Sequence, residues 1–220
     1  MKKLSYIEST MLPLPMSNID TDQIMPKEFL KRVERSGYGE FLFYDWKKDA
    51  NFPLNNEIFK ESKVLLTGTN FGTGSSREHA PWGLQDWGFD AIISSKFADI
   101  FRLNSINIGL LPIEASEDII EKLFKKVSEN PKTKIEISIE QKSVVCEEIE
   151  FNFFIDDFSQ NRILNGIDKI DISLEFEEKI DEFMQSRNKW APKLTYKHLN
   201  LNYLQLLLKA VIHYVFARKD

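Results

Sequence analysis

Two short β-branched runs, KVLLTG at 63–68 and DAIISSKF at 90–97, bracket a turn and a helical pattern, and that arrangement constrains the fold most. Strand, helix, strand in this order reads as a βαβ unit, which calls for two parallel strands and a crossover helix. The connecting stretch NFGTGSSREHAPWGL (70–84) then falls at the carboxyl edge of a parallel sheet. Open α/β folds hold their ligands there.

The residues of that stretch have a chemistry of their own. Gly72 and Gly74 permit positive φ and close backbone approach, Ser75 and Ser76 supply hydroxyls, and Arg77 adds a planar fork matched to carboxylate or phosphate. The first turn of the following helix offers unpaired N–H groups to an anion. Capping alone would need neither the glycine pair nor the arginine, so the expectation is a site for a small anion. A P-loop is excluded, because Gly68 to Gly74 is the wrong spacing and Ser75 stands where lysine is required. A dinucleotide fingerprint fails as well, since it demands glycine where Arg77 stands. Carboxylate is the better match. His79, one turn into the expected helix, reads either as a general base or as a structural hydrogen-bonder, and the second is favoured.

Elsewhere the pattern is uneven. Residues 1–60 carry the loop signals LPLP, NIDTDQIMP, SGYG and NFPLNN, which predict an irregular region wrapped on a core. Within it, the aromatic stretch YGEFLFYDW (38–46) reads equally as a lid or partner contact and as a hydrophobic anchor. FADIFRLNSINI predicts a helix ending near 107–109, LLPIE a buried strand, and SEDIIEKLFKKVSENP a helix capped by Ser116. KIEISIE, SVVCEEIEF and FNFFID alternate with period two and predict a hairpin or meander. DISLEFEEKIDEFMQSRNKW then predicts an acidic amphipathic helix that buries Leu174, Ile180, Phe183 and Met184.

Charge separates the end of the chain from the rest. Residues 193–220 carry a net +4, leaving −9 for the first 192, so the expected organisation is a domain at 1–192 with a basic, apolar, helical extension at 193–220. Asn200, Asn202, Gln205, Lys209 and His213 interrupt that extension, whereas a membrane span needs roughly 20 apolar residues. An amphipathic helix is the expected form, with His198 and His213 as ordinary helix residues. The net charge of −5 and the lack of a basic block argue against nucleic-acid binding. The interrupted amino-terminal stretch argues against export, so a cytoplasmic location is expected. Cys146 is the only cysteine, so this chain by itself can build neither an internal disulfide nor a thiolate-ligated zinc or iron–sulfur site.

Six separated segments resemble one family in order and spacing: NIDTDQIMPKEFLKR, GEFLFYDW, NFPLN, SSREHAPWGLQDWGF, SKFADIF and LNGIDKIDISLEFEEKIDEF. They are similar to the small subunits of bacterial 3-isopropylmalate dehydratases, and GTGSSREHA resembles the signature of the swivelling domain of the aconitase superfamily. The resemblance spans roughly residues 3–192. Thr73 stands where this family usually has cysteine, and the tail from Lys193 has no counterpart.

The resemblance implies an α/β domain of the swivelling β/β/α kind, with a largely parallel core sheet, an irregular amino-terminal region and carboxyl-terminal helices. It also implies one half of a hydro-lyase of leucine biosynthesis, a heterodimer that isomerises 2-isopropylmalate to 3-isopropylmalate through 2-isopropylmaleate. This chain would bind no cofactor, the [4Fe-4S] cluster being held by a separate large subunit. By position, Ser75 would take the substrate proton and Ser76 and Arg77 would bind a substrate carboxylate. Asp22 would join an Asp/His network across the domain interface. Arg32 and Arg35 compete for a further substrate-binding arginine, while Asp20 and Thr21 read equally well as turn formers. A homoaconitate- or methylmalate-type hydro-lyase and a non-catalytic carboxylate-binding module are the alternatives. Magnitude bears on Ser75: lowering an alcohol of pKa ~15 to neutrality takes ~8 units, or roughly 11 kcal/mol. A helix terminus and one charged hydrogen bond offer about 5 kcal/mol together. The chain is therefore expected to be inactive alone.

Overall fold

The computed structural model describes residues 1–31, 35–174 and 176–186. The chain divides into two compact units, Met1–Glu175 and Phe176–Asp220. The first unit is built on one seven-stranded sheet whose centre is β1 (Tyr6–Leu14). On one side β1, β2 (Val64–Thr67), β3 (Ala91–Ser94) and β4 (Leu111–Glu114) pair in parallel. On the other, β5 (Lys134–Ser138), β6 (Ser143–Cys146) and β7 (Ile149–Asn152) continue from β1 as an antiparallel meander. The expected α/β architecture is present, with the βαβ unit at its core.

β1 corrects the reading of residues 1–60 as irregular throughout. Pro13 and Pro15 read as breakers, yet Pro13 lies inside the strand, opposite Leu66 of β2. The register explains its tolerance: β5 pairs with Tyr6–Thr10 and β2 with Met11–Leu14, so Pro13 stands where β1 has a neighbour on one side only. A missing N–H breaks no ladder on an unpaired side. Among the described residues from 15 to 62 the chain is irregular as expected, apart from one short helix, α1 (Thr21–Ile24), and five 3₁₀ turns. The aromatic stretch in this region is an anchor: Tyr38, Leu42 and Phe43 are fully buried, and Phe43 stacks on Trp46.

Every residue of β2 and β3 is buried, as parallel strands covered on both faces require. The crossover helices are α2 (His79–Trp87) and α3 (Asp99–Ile108), and α4 (Glu117–Glu129) follows β4. Ser116 caps α4 by accepting from the Ile119 N–H, and Gly109 ends α3 at φ +87°. A further helix, α5 (Asp157–Asn165), was not expected from the pattern. The single acidic helix expected after it is two: α6 (Lys169–Leu174) closes the first unit and α7 (Glu177–Ser186) lies in the second. Ile180 and Phe183 of α7 are exposed, not buried as expected. The extension at 193–220 lies outside the described residues. None of the helices among the described residues is long and apolar enough to cross a membrane.

Candidate active site

The glycine–serine loop runs from the end of β2 to the start of α2, and backbone hydrogen bonds hold it to two neighbouring segments. Gly68 donates to Met16 O (3.0 Å), while Gly72 and Thr73 both donate to Ile19 O (2.8 and 3.2 Å). Phe71 N donates to Lys96 O and Ala98 N donates back to Phe71 O, each at 3.0 Å. Gly72 at φ +77° and Gly74 at φ +92° turn the chain between these attachments. At Gly72 an added Cβ would overlap the Phe101 ring, so only glycine fits.

The helix begins later than the sequence suggested. α2 starts at His79, so Ser75, Ser76 and Arg77 lie ahead of it in the loop and the serines do not sit in its first turn. Pro81 accounts for the delay: it has no N–H to donate to the Arg77 carbonyl, so the first bond of the helix runs from Trp82 N to Glu78 O at 3.1 Å. His79 is consequently the first helical residue. Its ring lies 5.3 Å from Tyr38 and 4.8 Å from Trp82, and its Nδ1 is buried without a hydrogen-bond partner among the described residues. Burial pushes its pKa below the usual histidine range. It packs as a neutral ring against aromatics, not as the structural hydrogen-bonder expected.

Asp22 reaches the loop because α1 is tightly capped. Asp20 accepts from Gln23 N, and Gln23 Oε1 accepts from Asp20 N, both at 2.8 Å, forming a reciprocal capping box. Thr21 N donates to Thr73 O (2.8 Å) and Thr21 Oγ1 to Ser75 O (3.1 Å), which fastens α1 to the loop. Asp22 then forms a close ion pair with Arg77 Nη1, and Arg77 Nη2 donates to Ser75 Oγ at 3.2 Å. Lys27 Nζ stands 3.8 Å from the other carboxylate oxygen of Asp22. Arg77 is mostly buried and Asp22 half-buried, whereas Ser75 and Ser76 are exposed. Chemically, Arg77 presents a guanidinium oriented by a carboxylate, and its donation to Ser75 Oγ favours the deprotonated hydroxyl.

Of the residues expected in the site, Asp22, Ser75 and Arg77 are joined by contacts, and Ser76 adjoins them in the loop. Arg35 is elsewhere in its contacts: its guanidinium lies 5.2 Å over the Trp82 ring, and among the described residues no contact ties it to Asp22, Ser75 or Arg77. Arg32 lies outside the described residues. Lys27 and the fastening role of Thr21 were missed. A lysine five residues beyond Asp22 carries a signal only once the intervening turn is known. Cys146 is buried in β6, and burial pushes its thiol up to about 11, which makes it a poor metal ligand or nucleophile.

Sheet order and loop together define a small α/β domain with a serine–arginine loop at the carboxyl edge of its parallel strands, and the family described as the aconitase C-terminal domain matches residues 1–118, the span that contains all of β1 to β4 and the loop. A 3-isopropylmalate dehydratase small subunit of Rubrobacter xylanophilus is 42% identical over 194 residues, covering 88% of this chain and 100% of its own. One from Pseudarthrobacter chlorophenolicus is 45% identical over 193 residues, covering 88% and 96%. A crystal structure of 3-isopropylmalate dehydratase from Methanocaldococcus jannaschii superimposes with a TM-score of 0.59 at 25% identity, over 82% of this chain and 99% of that one. The chain thus belongs to the aconitase C-terminal domain family and, within it, to the small subunits of 3-isopropylmalate dehydratase.

Proposed function

We propose that this chain is the small subunit of a cytoplasmic hydro-lyase that isomerises 2-isopropylmalate to 3-isopropylmalate through 2-isopropylmaleate, in leucine biosynthesis. The observation that carries the reading is the contact series Ser75–Arg77–Asp22 at the carboxyl edge of the sheet, in a chain of this family. Arg77 binds a substrate carboxylate through the N–H groups that Asp22 and Ser75 leave free, and the Ser76 hydroxyl adds a donor. Negative charge builds on that carboxylate as the neighbouring carbon loses its proton, and a guanidinium fixed in advance stabilises it. Ser75 Oγ takes the proton and returns it to 2-isopropylmaleate when water adds in the opposite sense.

A single buried cysteine cannot supply the thiolates of an iron–sulfur cluster, so the reading places the [4Fe-4S] group on a separate large subunit. Bound there, the cluster supplies Lewis-acid assistance to the departing hydroxyl. The reading is tested anaerobically by following the ultraviolet absorbance of 2-isopropylmaleate formed from 3-isopropylmalate. Activity is expected only when this chain is mixed with its cognate iron–sulfur chain. In that mixture Ser75→Ala lowers kcat by about 10²–10⁴ while assembly is retained. Turnover by this chain alone, or normal turnover by an assembled Ser75→Ala protein, would overturn it.

A further inference from the structure

We propose that Lys27 is a substrate-binding residue of this site, its ammonium holding the carboxylate that Arg77 does not; the inference rests on the dicarboxylate reading above. Charge is the first argument. Arg77 and Asp22 cancel as a close ion pair, so the two alone would face a dianionic ligand with no net charge. Burying such a ligand at a closed interface without compensation is costly. Lys27, on the other oxygen of Asp22, brings the group of three to a net +1.

Geometry is the second argument. Lys27 opens a 3₁₀ turn (Lys27–Lys31) whose Phe29 N donates to Pro26 O at 3.1 Å. The Phe29 ring stacks on Phe41 at 4.2 Å and meets Tyr44 edge-on at 4.9 Å, so the base of the lysine is pinned by aromatic packing. Its far end is free by contrast: the side chain is 72% exposed and the 3.8 Å separation from Asp22 is at the limit of an ion pair. An exposed pair of that length adds almost nothing to stability. A packed base, an exposed cationic end held only by a 3.8 Å ion pair, and a position on the carboxylate that pairs with Arg77 together suit a residue that leaves Asp22 to meet an arriving carboxylate.

The assembled enzyme tests this directly. Lys27→Gln raises KM for 3-isopropylmalate about tenfold while kcat changes less than about threefold, and Lys27→Arg recovers most of the loss. An unchanged KM, or a loss confined to kcat, overturns the proposal. A second measurement avoids turnover: the full chain alone is titrated with succinate and with butyrate, following the backbone amide signals of Ser75 and Ser76. Wild type binds succinate the more tightly, and Lys27→Gln removes that preference without weakening butyrate. The same succinate-to-butyrate ratio in both proteins, or no preference in wild type, overturns it. A mixture that turns over nothing would sink the isomerase reading, yet a succinate preference abolished by Lys27→Gln would still uphold Lys27.

Discussion

At Gly72 one missing carbon decides whether the loop can exist. The Phe101 ring occupies the space a Cβ would need, and φ is +77°, so Gly72→Ala meets both a steric clash and a strained backbone. The expected cost is on the order of 3 kcal/mol, read as a lower urea midpoint with an unchanged m-value. The neighbouring chemistry divides in the same way between what residue types announce and what contacts decide. Ser75, Arg77 and Asp22 could be named from the sequence because their motifs are dense. Lys27 and Thr21 could not, because a surface lysine and a turn threonine look alike wherever they fall. Their meaning comes from the 3.8 Å and 3.1 Å separations that place them on Asp22 and on the Ser75 carbonyl.

Among the elements, α5 shows what a period-based reading misses. Its Phe158 is exposed and its fully buried apolar residue is Ile163, so it has little amphipathic signal. It is fixed by polar contacts to distant segments: Gln160 donates to Ile139 O (2.8 Å), and Arg162 donates to Asn107 Oδ1 (3.3 Å). Its ends are capped, by Asp156 at the N-cap and by Gly166 in the left-handed region. Asp156 accepts from Ser159 N at 2.9 Å, and this hydrogen bond holds its carboxyl below the ordinary range. A depressed folded pKa means that the stabilisation is present above the unfolded value, about 3.8, and is lost as pH falls through the folded value. Asp156→Ala is therefore expected to cost about 1 kcal/mol at neutral pH, a difference that closes in acid. Urea titrations of both proteins at pH 7 and below pH 3.8 would show it; a penalty that persists unchanged in acid would refute the charged cap.

For the whole molecule, the relatives match 88% of this chain while spanning all or nearly all of their own length. A chain ended after Pro192 is accordingly expected to keep the thermal midpoint of the full chain and to complement the large subunit equally well. A pull-down and the absorbance assay on the shortened chain would check both, and failure to assemble would assign the tail a role at the partner interface.

By itself the sequence determined the βαβ core, the helices at 99–108 and 117–129, the glycine–serine turn between β2 and α2, and the family. These depend on local periodicity, caps and dense motifs, which are short-range properties of the chain. Only the tertiary structure decided that Tyr6–Leu14 is the central strand, that α2 begins at His79, and that Asp22 takes Arg77 on one oxygen and Lys27 on the other. Each of these depends on partners roughly 50 to more than 100 residues away or on a turn whose course local propensity does not fix, and burial and pairing across that distance override what the neighbouring residues alone would favour.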